Sequence, residues 1–195
     1  MKSRLSRTGL LLLLAGAVGA CATTGEKGGR SQAGGIEVGR FHLGEPTIAR
    51  SQIAIEPFDR ADSNRPEFPA YVAAVTRELT RLGWTVVPTT RQSEQVAMID
   101  VEQGSRDAIA AISAARVGRG IAGGPATGNA ANVTATLLEV AIRRRSDGTV
   151  FWEGRAVGEG RTGSPEAVPT AAVGRLASAL FRDFPGESGR IIRVR

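Results

Sequence analysis

The sequence predicts an α+β fold, a two-layer sandwich in which two helices cover one face of a mixed, mainly antiparallel sheet. Three observations lead to this prediction. Apolar residues recur at helical spacing in two segments, 68–82 and 169–184. Two alternating segments, 133–145 and 149–160, flank a short turn that contains glycine, as in a β-hairpin. The other apolar runs are short and alternate, which is typical of strands.

The first 20 residues are predicted to be a signal peptide. Positive residues among the first seven precede ten apolar or small residues, Gly9 to Val18. This run has the length of a signal-peptide core and about half the length that a membrane-spanning helix needs. Cleavage is expected between Ala20 and Cys21, the only cysteine of the chain.

The tetrapeptide from Val18 to Cys21 resembles the lipobox of bacterial lipoproteins, an aliphatic residue and two small ones before an obligatory cysteine. The resemblance implies that Cys21 carries a diacylglycerol and an acylated amino terminus, which together anchor the protein to a membrane. An ordinary cleaved signal that contains a cysteine is the alternative. In a Gram-negative source, Ala22 in place of an aspartate implies the outer membrane, with the protein facing the periplasm.

Residues 21–35 are small, polar and rich in glycine, and they predict a flexible tether. Residues 36–195 predict a single α+β domain with a glycine-rich loop near 117–132. Loss of three positive residues with the signal lowers the net charge from +6 to +3. With 5% aromatic residues the chain has few surfaces on which bases can stack, so nucleic-acid binding is not expected.

The first half of the domain predicts the element order β-α-β-β. Its segments are 51–58, 68–82, 84–89 and 96–103. A further strand, 36–43, precedes them; it alternates and is expected to be an edge strand. In the helical segment, Pro69 suits the first turn and Gly83 the C-terminal stop.

The second half contains the hairpin and the second helix. Residues 107–116 are compatible with a helix, by alanine content, or with an extension of the preceding strand. A three-residue loop, 146–148, places Ile142 opposite Trp152 and keeps the apolar residues of both strands on one face. Pro169 favours a helix start there, Pro185-Gly186 is expected to end the helix, and a last short strand follows.

The same register gives four further cross-strand pairs. Val140 faces Gly154 and Leu138 faces Ala156 on the apolar face. On the other face, Glu139 is paired with Arg155, and Ala141 with Glu153.

This series of segments resembles the bacterial lipoproteins of the "domain of unknown function 4136" family. The resemblance covers 36–195, and its most specific parts are "SDGTVFWEGRA" (146–156) and "FPGESGR" (184–190). Segment 117–132 departs from the more regular glycine alternation expected of that family. The resemblance implies an α+β domain of the cell envelope, with no established activity and no catalytic residues to transfer.

No metal and no cofactor are expected. With Cys21 acylated, His42 is the only residue left of the cysteine and histidine types, which excludes cysteine-type zinc sites and histidine-rich metal sites. The glycines of 118–123 have the spacing of a dinucleotide loop, but Pro125 follows where a helix should begin. The segment 186–189 ("GESG") is interpreted as a turn and not as a serine nucleophile elbow.

Two further groups of side chains have alternative interpretations. Arg143, Arg144 and Arg145 form a patch for an anionic partner, such as lipid headgroups or a polymer, or an exposed strand end that discourages edge pairing. Asp59 and Asp62 suggest a cation site or, more simply, a solvated loop. Three residues are expected to have structural roles, namely His42, Trp84 and Trp152.

The sequence therefore favours a non-enzymatic, lipid-anchored envelope protein with a structural, accessory or binding role. Its membrane contact would be the acylated Cys21, and its oligomeric state stays open. A hydrolase of an envelope polymer or lipid is the alternative, which requires Asp59, Glu56 or Glu153 beside a second carboxylate. A third hypothesis is docking on a larger envelope complex through a sheet edge or through the Arg143–Arg145 end.

Overall fold

The computed structural model describes residues 35–44, 48–115 and 132–195. Seven strands lie in these ranges: β1 (Ile36–His42), β2 (Gln52–Pro57), β3 (Thr85–Val86), β4 (Gln95–Gly104), β5 (Val133–Arg144), β6 (Val150–Arg161) and β7 (Ile191–Val194). Three α-helices accompany them: α1 (Phe68–Arg81), α2 (Arg106–Ala115) and α3 (Pro169–Leu180). The predicted signal peptide, Ala20, Cys21, the tether up to residue 34 and the glycines of 118–123 lie outside the described residues.

The strands form one sheet in the order β3-β2-β4-β5-β6-β1-β7. β2 pairs in parallel with β3 and β4, and the other pairings are antiparallel, which confirms the mixed, mainly antiparallel α+β prediction. The expectation that β1 is an edge strand is wrong. The C-terminal β7 pairs with β1 from Ile36 to Gly39 and takes the edge itself.

The register of the β5–β6 hairpin is the predicted one. Ile142 pairs with Trp152, Val140 with Gly154, and Leu138 with Ala156. On the other face Glu139 pairs with Arg155 and Ala141 with Glu153, again as expected. A bulge after Ile142 shifts the last pair, so that Arg143 meets Val150. Gly148, with a φ of +72°, provides the left-handed turn conformation that the glycine was expected to supply.

We call the sheet surface covered by α1 and α3 the helix face. It carries alternate strand residues, including Val38, Leu138, Val140, Ile142 and Trp152. α1 contributes Tyr71, Val75 and Leu79 to this core, and α3 contributes Val173, Leu176 and Leu180. Each such side chain contributes about 1.5–3 kcal/mol when it is fully buried, so this layer supplies most of the hydrophobic stabilisation.

α2 lies on the opposite surface, which we call the charged face. Its Ile109 packs on Ala135 and Leu137 of β5, whose neighbour Leu138 belongs to the helix face. The segment that the sequence left open between helix and strand is therefore a helix, and it adds a partial third layer. The name reflects the other side chains here, Glu139, Glu153 and Arg155 among them.

The two long helices begin where their prolines predict. Each of them has proline within its first two residues, Pro69 in α1 and Pro169 in α3. α3 ends at Leu180, earlier than the expected stop at Pro185. The Arg40 guanidinium of β1 caps it there, with Nε donating to the Leu180 carbonyl at 2.8 Å and Nη2 to Ala179 at 3.0 Å. None of the described helices is long and apolar enough to cross a membrane.

Candidate binding site

A row of neighbouring strand residues, three of them charged, crosses the middle of the charged face. Strand pairing aligns five residues in it: Asp100, Glu139, Arg155, Gly39 and Ile191. They share one face because side chains alternate along each strand, and the hairpin register puts Glu139 directly beside Arg155. Gly39, the β1 neighbour of Arg155, adds no side chain and leaves space beside the guanidinium.

Arg155 is a buried arginine that two carboxylates share. The side chain is 2% exposed and that of Glu139 is also 2% exposed. The Nη2 group of Arg155 lies 3.2 Å from Oε1 of Glu139 and 3.2 Å from Oε1 of Glu153. One nitrogen therefore makes both ion pairs. The Nε and Nη1 atoms are also buried, and no group among residues 35–44, 48–115 and 132–195 accepts a hydrogen bond from either of them.

A small cavity, which we call the Arg155 crevice, lies between α2 and the sheet. Its volume is about 20 Å³, which is room for about one water molecule. Arg155, Ser113 of α2 and Glu37 of β1 provide its polar lining. Leu137, Val157 and Ile191 provide apolar walls beside Gly39. Because Ile191 is 49% exposed, the crevice borders on solvent at the β7 side.

Ion pairs fasten the N-terminal end of α2 to the sheet. The Arg106 guanidinium contacts Glu159 and lies 3.5 Å from Oε1 of Glu37. Arg193 of β7 reaches the same Glu37 oxygen at 2.6 Å. The contacts of Arg106 tie α2 to β1 and β6, and Arg106 and Arg193 together compensate the charge of Glu37 with two guanidinium groups.

The predicted arginine patch is largely paired with acids. Nη1 of Arg144 lies 2.7 Å from Oδ2 of Asp147, and Nη2 of Arg145 lies 3.2 Å from Oε1 of Glu94. The Nε–H of Arg145 also donates to the Ser93 carbonyl at 3.0 Å. Two of the three arginines thus stabilise the hairpin end, which reduces the positive charge available to an anionic partner.

Two hydrogen bonds hold the Asp147 carboxylate in its turn. The backbone N–H of Thr149 donates to Oδ1 at 3.0 Å and Arg144 donates to Oδ2 at 2.7 Å. The hydrogen bond from Thr149, followed by that from Arg144, lowers the pKa of Asp147 from 3.8 to about 2.

The structure brings one predicted carboxylate together with a second one. Glu153 lies beside Glu139, but Arg155 occupies the position between them. Asp59 instead accepts the Ala61 N–H at 2.9 Å at the start of a short 3₁₀ turn. In that turn, Asp62 is paired with Arg65 at 3.5 Å. The described residues contain no cluster of three or more potential metal ligands.

His42 and Trp152 hold the turn that follows α3. Gly44 N–H donates to Nδ1 of His42 at 3.2 Å, so the proton is assigned to Nε2, which donates to the Gly186 carbonyl at 2.9 Å. The indole N–H of Trp152 donates to the Pro185 carbonyl at 3.0 Å. The "GESG" segment is therefore a turn fastened to β1 and β6.

Trp84 also has the structural role that the sequence predicted. Its side chain is buried and packs edge-on against Phe184, with ring centroids 5.2 Å apart. Its indole N–H donates to Oε1 of the buried Gln95 at 2.8 Å. Both tryptophans are therefore core residues, as expected.

Sequence reasoning found the ion pair beside the crevice and missed the crevice itself. It paired Glu139 with Arg155, because charges alternate with apolar residues along the hairpin. It did not single out Ser113 or Glu37, because their place at the crevice depends on how α2 and β7 pack across the sheet. The available signal was a serine in an alanine-rich helical segment, which by itself indicates no site.

The similarity to known proteins is distant. An uncharacterised protein of Zymomonas mobilis is 29% identical over 82% of this chain and 80% of its own length. No family model matches the chain. Membership of the "domain of unknown function 4136" family is therefore not established by these comparisons.

Three solved structures resemble the fold in part. The PelC dodecamer of Paraburkholderia phytofirmans has a TM-score of 0.43 at 13% identity and covers 73% of this chain and 97% of its own. A PDZ domain protein of Parabacteroides distasonis scores 0.49 at 11% identity, over 82% of this chain and 38% of its own. A protein of Caulobacter crescentus, provisionally assigned as a lipoprotein, scores 0.31 at 16% identity, over 67% and 82%. These scores are all below 0.5 and give no evidence of a shared function.

Proposed function

We propose that this protein is a lipoprotein of the cell envelope, related to the "domain of unknown function 4136" group, with a non-catalytic binding role. Acylated Cys21 anchors it, at the outer membrane and facing the periplasm in a Gram-negative cell. The observation that supports the anchor is the lipobox-like Val18–Cys21 directly after a signal-peptide core. Several buried acyl chains make such an anchor effectively permanent, because each buried methylene contributes about 0.8 kcal/mol.

The geometry around Arg155 favours binding over hydrolysis. A pair of catalytic carboxylates must flank the scissile bond, with substrate between them. Here Arg155 lies between Glu139 and Glu153, and the adjoining cavity of about 20 Å³ has no room for a sugar ring or an acyl chain. The charged face is therefore better suited to hold a small group than to cleave a polymer.

Substitution of the lipidation residue tests the anchor. We expect the wild-type chain to fractionate with membranes and to incorporate an alkyne analogue of palmitate, and the Cys21→Ser chain to do neither. Thr23→Ser, a conservative change two residues further along, is the matched control and keeps both properties. Recovery of the Cys21→Ser chain in the membrane pellet would show that another segment anchors the protein.

A second substitution tests the expected membrane. Ala22→Asp introduces the residue that retains Gram-negative lipoproteins at the inner membrane. We expect the wild-type chain in the outer-membrane fraction of a density gradient and the Ala22→Asp chain in the inner-membrane fraction. Equal distribution of the two chains would contradict the outer-membrane proposal and leave the acyl anchor itself intact.

A further inference from the structure

We propose that one end of the sheet binds an anionic polysaccharide whose sugars carry carboxylate groups. We call this surface the basic end, and it consists of residues 48–52, 89–95 and 143–149. The inference rests on the binding role proposed above and names the class of ligand. Its failure is distinguishable from failure of the anchor, because polymer binding is measured on the full chain whether or not Cys21 is acylated.

Strand directions bring the three segments of the basic end together. β2 and β4 begin there and β5 ends there, since β2 runs parallel to β4 and β4 runs antiparallel to β5. Gln95 pairs with Arg144 of β5 on one side and with Ile53 of β2 on the other. The side-chain amide of Gln95 also donates to the Ala49 carbonyl at 2.6 Å. The three segments therefore form one continuous surface.

Arginines outnumber acids at the basic end. Its segments contain five arginines and two acids, namely Arg50, Arg91, Arg143, Arg144, Arg145, Glu94 and Asp147. Asp147 is paired with Arg144, and Glu94 with Arg145, so the surface keeps a positive charge after both ion pairs are formed. The two paired arginine side chains are 45% and 47% exposed. Exposed pairs are weak, so a ligand carboxylate can replace either acid.

The arginines are spread over both faces of the sheet at this end. Arg143 follows Ala141 by two residues in β5 and therefore lies on the charged face. Arg50 lies on the helix face, with its guanidinium carbon 5.7 Å from the centroid of the Trp84 ring. A small anion contacts few of these groups at once. A polymer contacts several, and its simultaneous weak contacts combine into a useful affinity.

The composition of the basic end favours a sugar polymer over a protein partner. A protein interface usually has an apolar centre. Ile48 is the one large apolar residue in the three segments, and it is 3% exposed, although the half-exposed Val150 borders the surface. The planar guanidinium matches the geometry of a carboxylate, and its remaining N–H groups can donate to sugar hydroxyls.

The opposite end of the sheet has the opposite charge balance. We call it the tether end, because β1 begins there at Ile36, directly after the predicted tether. Eight acids and six arginines lie in its five segments, 35–37, 57–68, 102–108, 158–168 and 193–195. The predicted tether thus joins the sheet at the end away from the basic end. An anionic membrane surface is disfavoured as the ligand, because the end that carries the attachment point is acidic.

Polygalacturonate, a sugar chain with a carboxylate on each residue, is the probe, and dextran is its neutral counterpart. The full chain is kept in phosphatidylcholine nanodiscs, or free in buffer should it need none, and fluorescence anisotropy of the labelled polymer follows binding. We expect saturable binding of polygalacturonate that weakens at least about tenfold between about 0.05 M and 0.5 M NaCl, because salt screens exposed charges. We expect no binding of dextran.

The other outcomes of this measurement contradict the proposal. Equal binding of dextran, or no binding of polygalacturonate, would overturn it. Stronger binding to phosphatidylglycerol vesicles than to polygalacturonate would replace the polymer with a membrane surface.

Two charge reversals with the same effect on net charge locate the binding surface. Arg91 is exposed at the basic end, and we expect Arg91→Glu to weaken polygalacturonate binding about tenfold, because a carboxylate replaces a guanidinium. Arg161, exposed at the tether end, is the matched control. It lies about 36 Å from Val150 along β6, well beyond the Debye length of about 10 Å, so Arg161→Glu should change the affinity less than about twofold. Equal losses for the two variants would show that only net charge matters and would refute the proposed surface.

A gain of binding provides a second test, which a loss of folding cannot imitate. Asp147→Asn removes one of the two acids of the basic end and frees Arg144 from its ion pair. We expect the affinity for polygalacturonate to rise about threefold, because the ligand no longer competes with the aspartate. Glu166→Gln removes an exposed acid at the tether end and should leave the affinity unchanged. An Asp147→Asn chain that binds no more tightly than the wild type would contradict the proposed role of the hairpin arginines.

Discussion

The two faces of the sheet are made from alternate residues of the same strands, and they differ in how they are stabilised. On β5, Leu138, Val140 and Ile142 point to the helix face and are fully buried under α3 and its neighbours. Between them, Glu139 points to the charged face and is equally buried, but it is held by an ion pair with Arg155.

The two faces therefore contribute to different properties, the helix face to stability and the charged face to selectivity. Apolar burial on the helix face stabilises the fold in proportion to area and requires only shape complementarity. A buried ion pair contributes little net stability, because desolvation offsets the attraction between the charges. The charged face therefore places the Arg155 guanidinium, whose hydrogen-bond donors are incompletely satisfied, at a cavity. Such a group contributes more to recognition than to stability.

The largest expected effect is on the helix face. Trp152 is 0% exposed, stacks on Phe181 at 5.2 Å and donates its indole N–H to Pro185. Trp152→Ala removes this packing and leaves a cavity, and we expect it to lower the free energy of unfolding by about 3–5 kcal/mol. Urea-induced unfolding followed by circular dichroism measures the change.

Val150→Ala in the same strand is the control for that measurement. Its side chain is 42% exposed, so we expect a change within about 0.5 kcal/mol. If Trp152→Ala costs no more than Val150→Ala, the assignment of stability to the helix face is wrong.

A pair of glycines compares the two faces directly. A Cβ on Gly154 would lie 2.8 Å from Cδ1 of Leu180 and would also overlap the Trp152 ring. We expect Gly154→Ala to lower the free energy of unfolding by about 1–3 kcal/mol, because the helix face is closely packed there.

Gly39 lies on the charged face, beside the crevice and between Arg155 and Ile191. The same change there adds a methyl group to the lining of the crevice and removes the entropic disadvantage of glycine in a strand. We expect Gly39→Ala to leave the free energy of unfolding unchanged or to raise it by up to about 1 kcal/mol. Equal losses for the two variants would show that the charged face is packed as closely as the helix face.

The hairpin shows what local sequence can determine. Its register follows from a turn with glycine at the left-handed position and from the alternation of charged and apolar residues, both of which are local. The start of α3 at Pro169 is equally local, since proline suits the first turn of a helix and disrupts its interior.

The remaining features could not be predicted, because they depend on contacts between residues that are far apart in the sequence. β1 is an inner strand only because β7, about 150 residues later in the chain, pairs with it, and no pattern within 36–43 indicates that pairing. The early end of α3 depends on Arg40, which is 140 residues away in the sequence. The Arg155 crevice requires β1, β6, β7 and α2 together, so the ion pair of Arg155 with Glu139 was foreseen but the cavity beside it was not.

The smallest expected effect concerns the hairpin turn, which belongs to neither face. The pKa of Asp147 is lowered from 3.8 to about 2, so the folded protein favours the ionised carboxylate. Its contribution to stability is therefore complete above about pH 4 and is lost as the pH falls toward about 2. We expect Asp147→Asn to lower the Tm slightly at pH 7, and the difference from the wild type to disappear near pH 2.

Salt separates the two causes of that lowered pKa. The ion pair of Asp147 with Arg144 is exposed and should be screened in about 1 M salt, where the Debye length is about 3 Å. The hydrogen bond from the Thr149 N–H is local to the turn and should persist. We therefore expect most of the Tm difference at pH 7 between the wild type and Asp147→Ala, which lacks the acceptor for the Thr149 N–H, to remain in high salt. Complete loss of the difference would assign the effect to Arg144, and would make the hairpin end more dependent on its arginines than the turn geometry indicates.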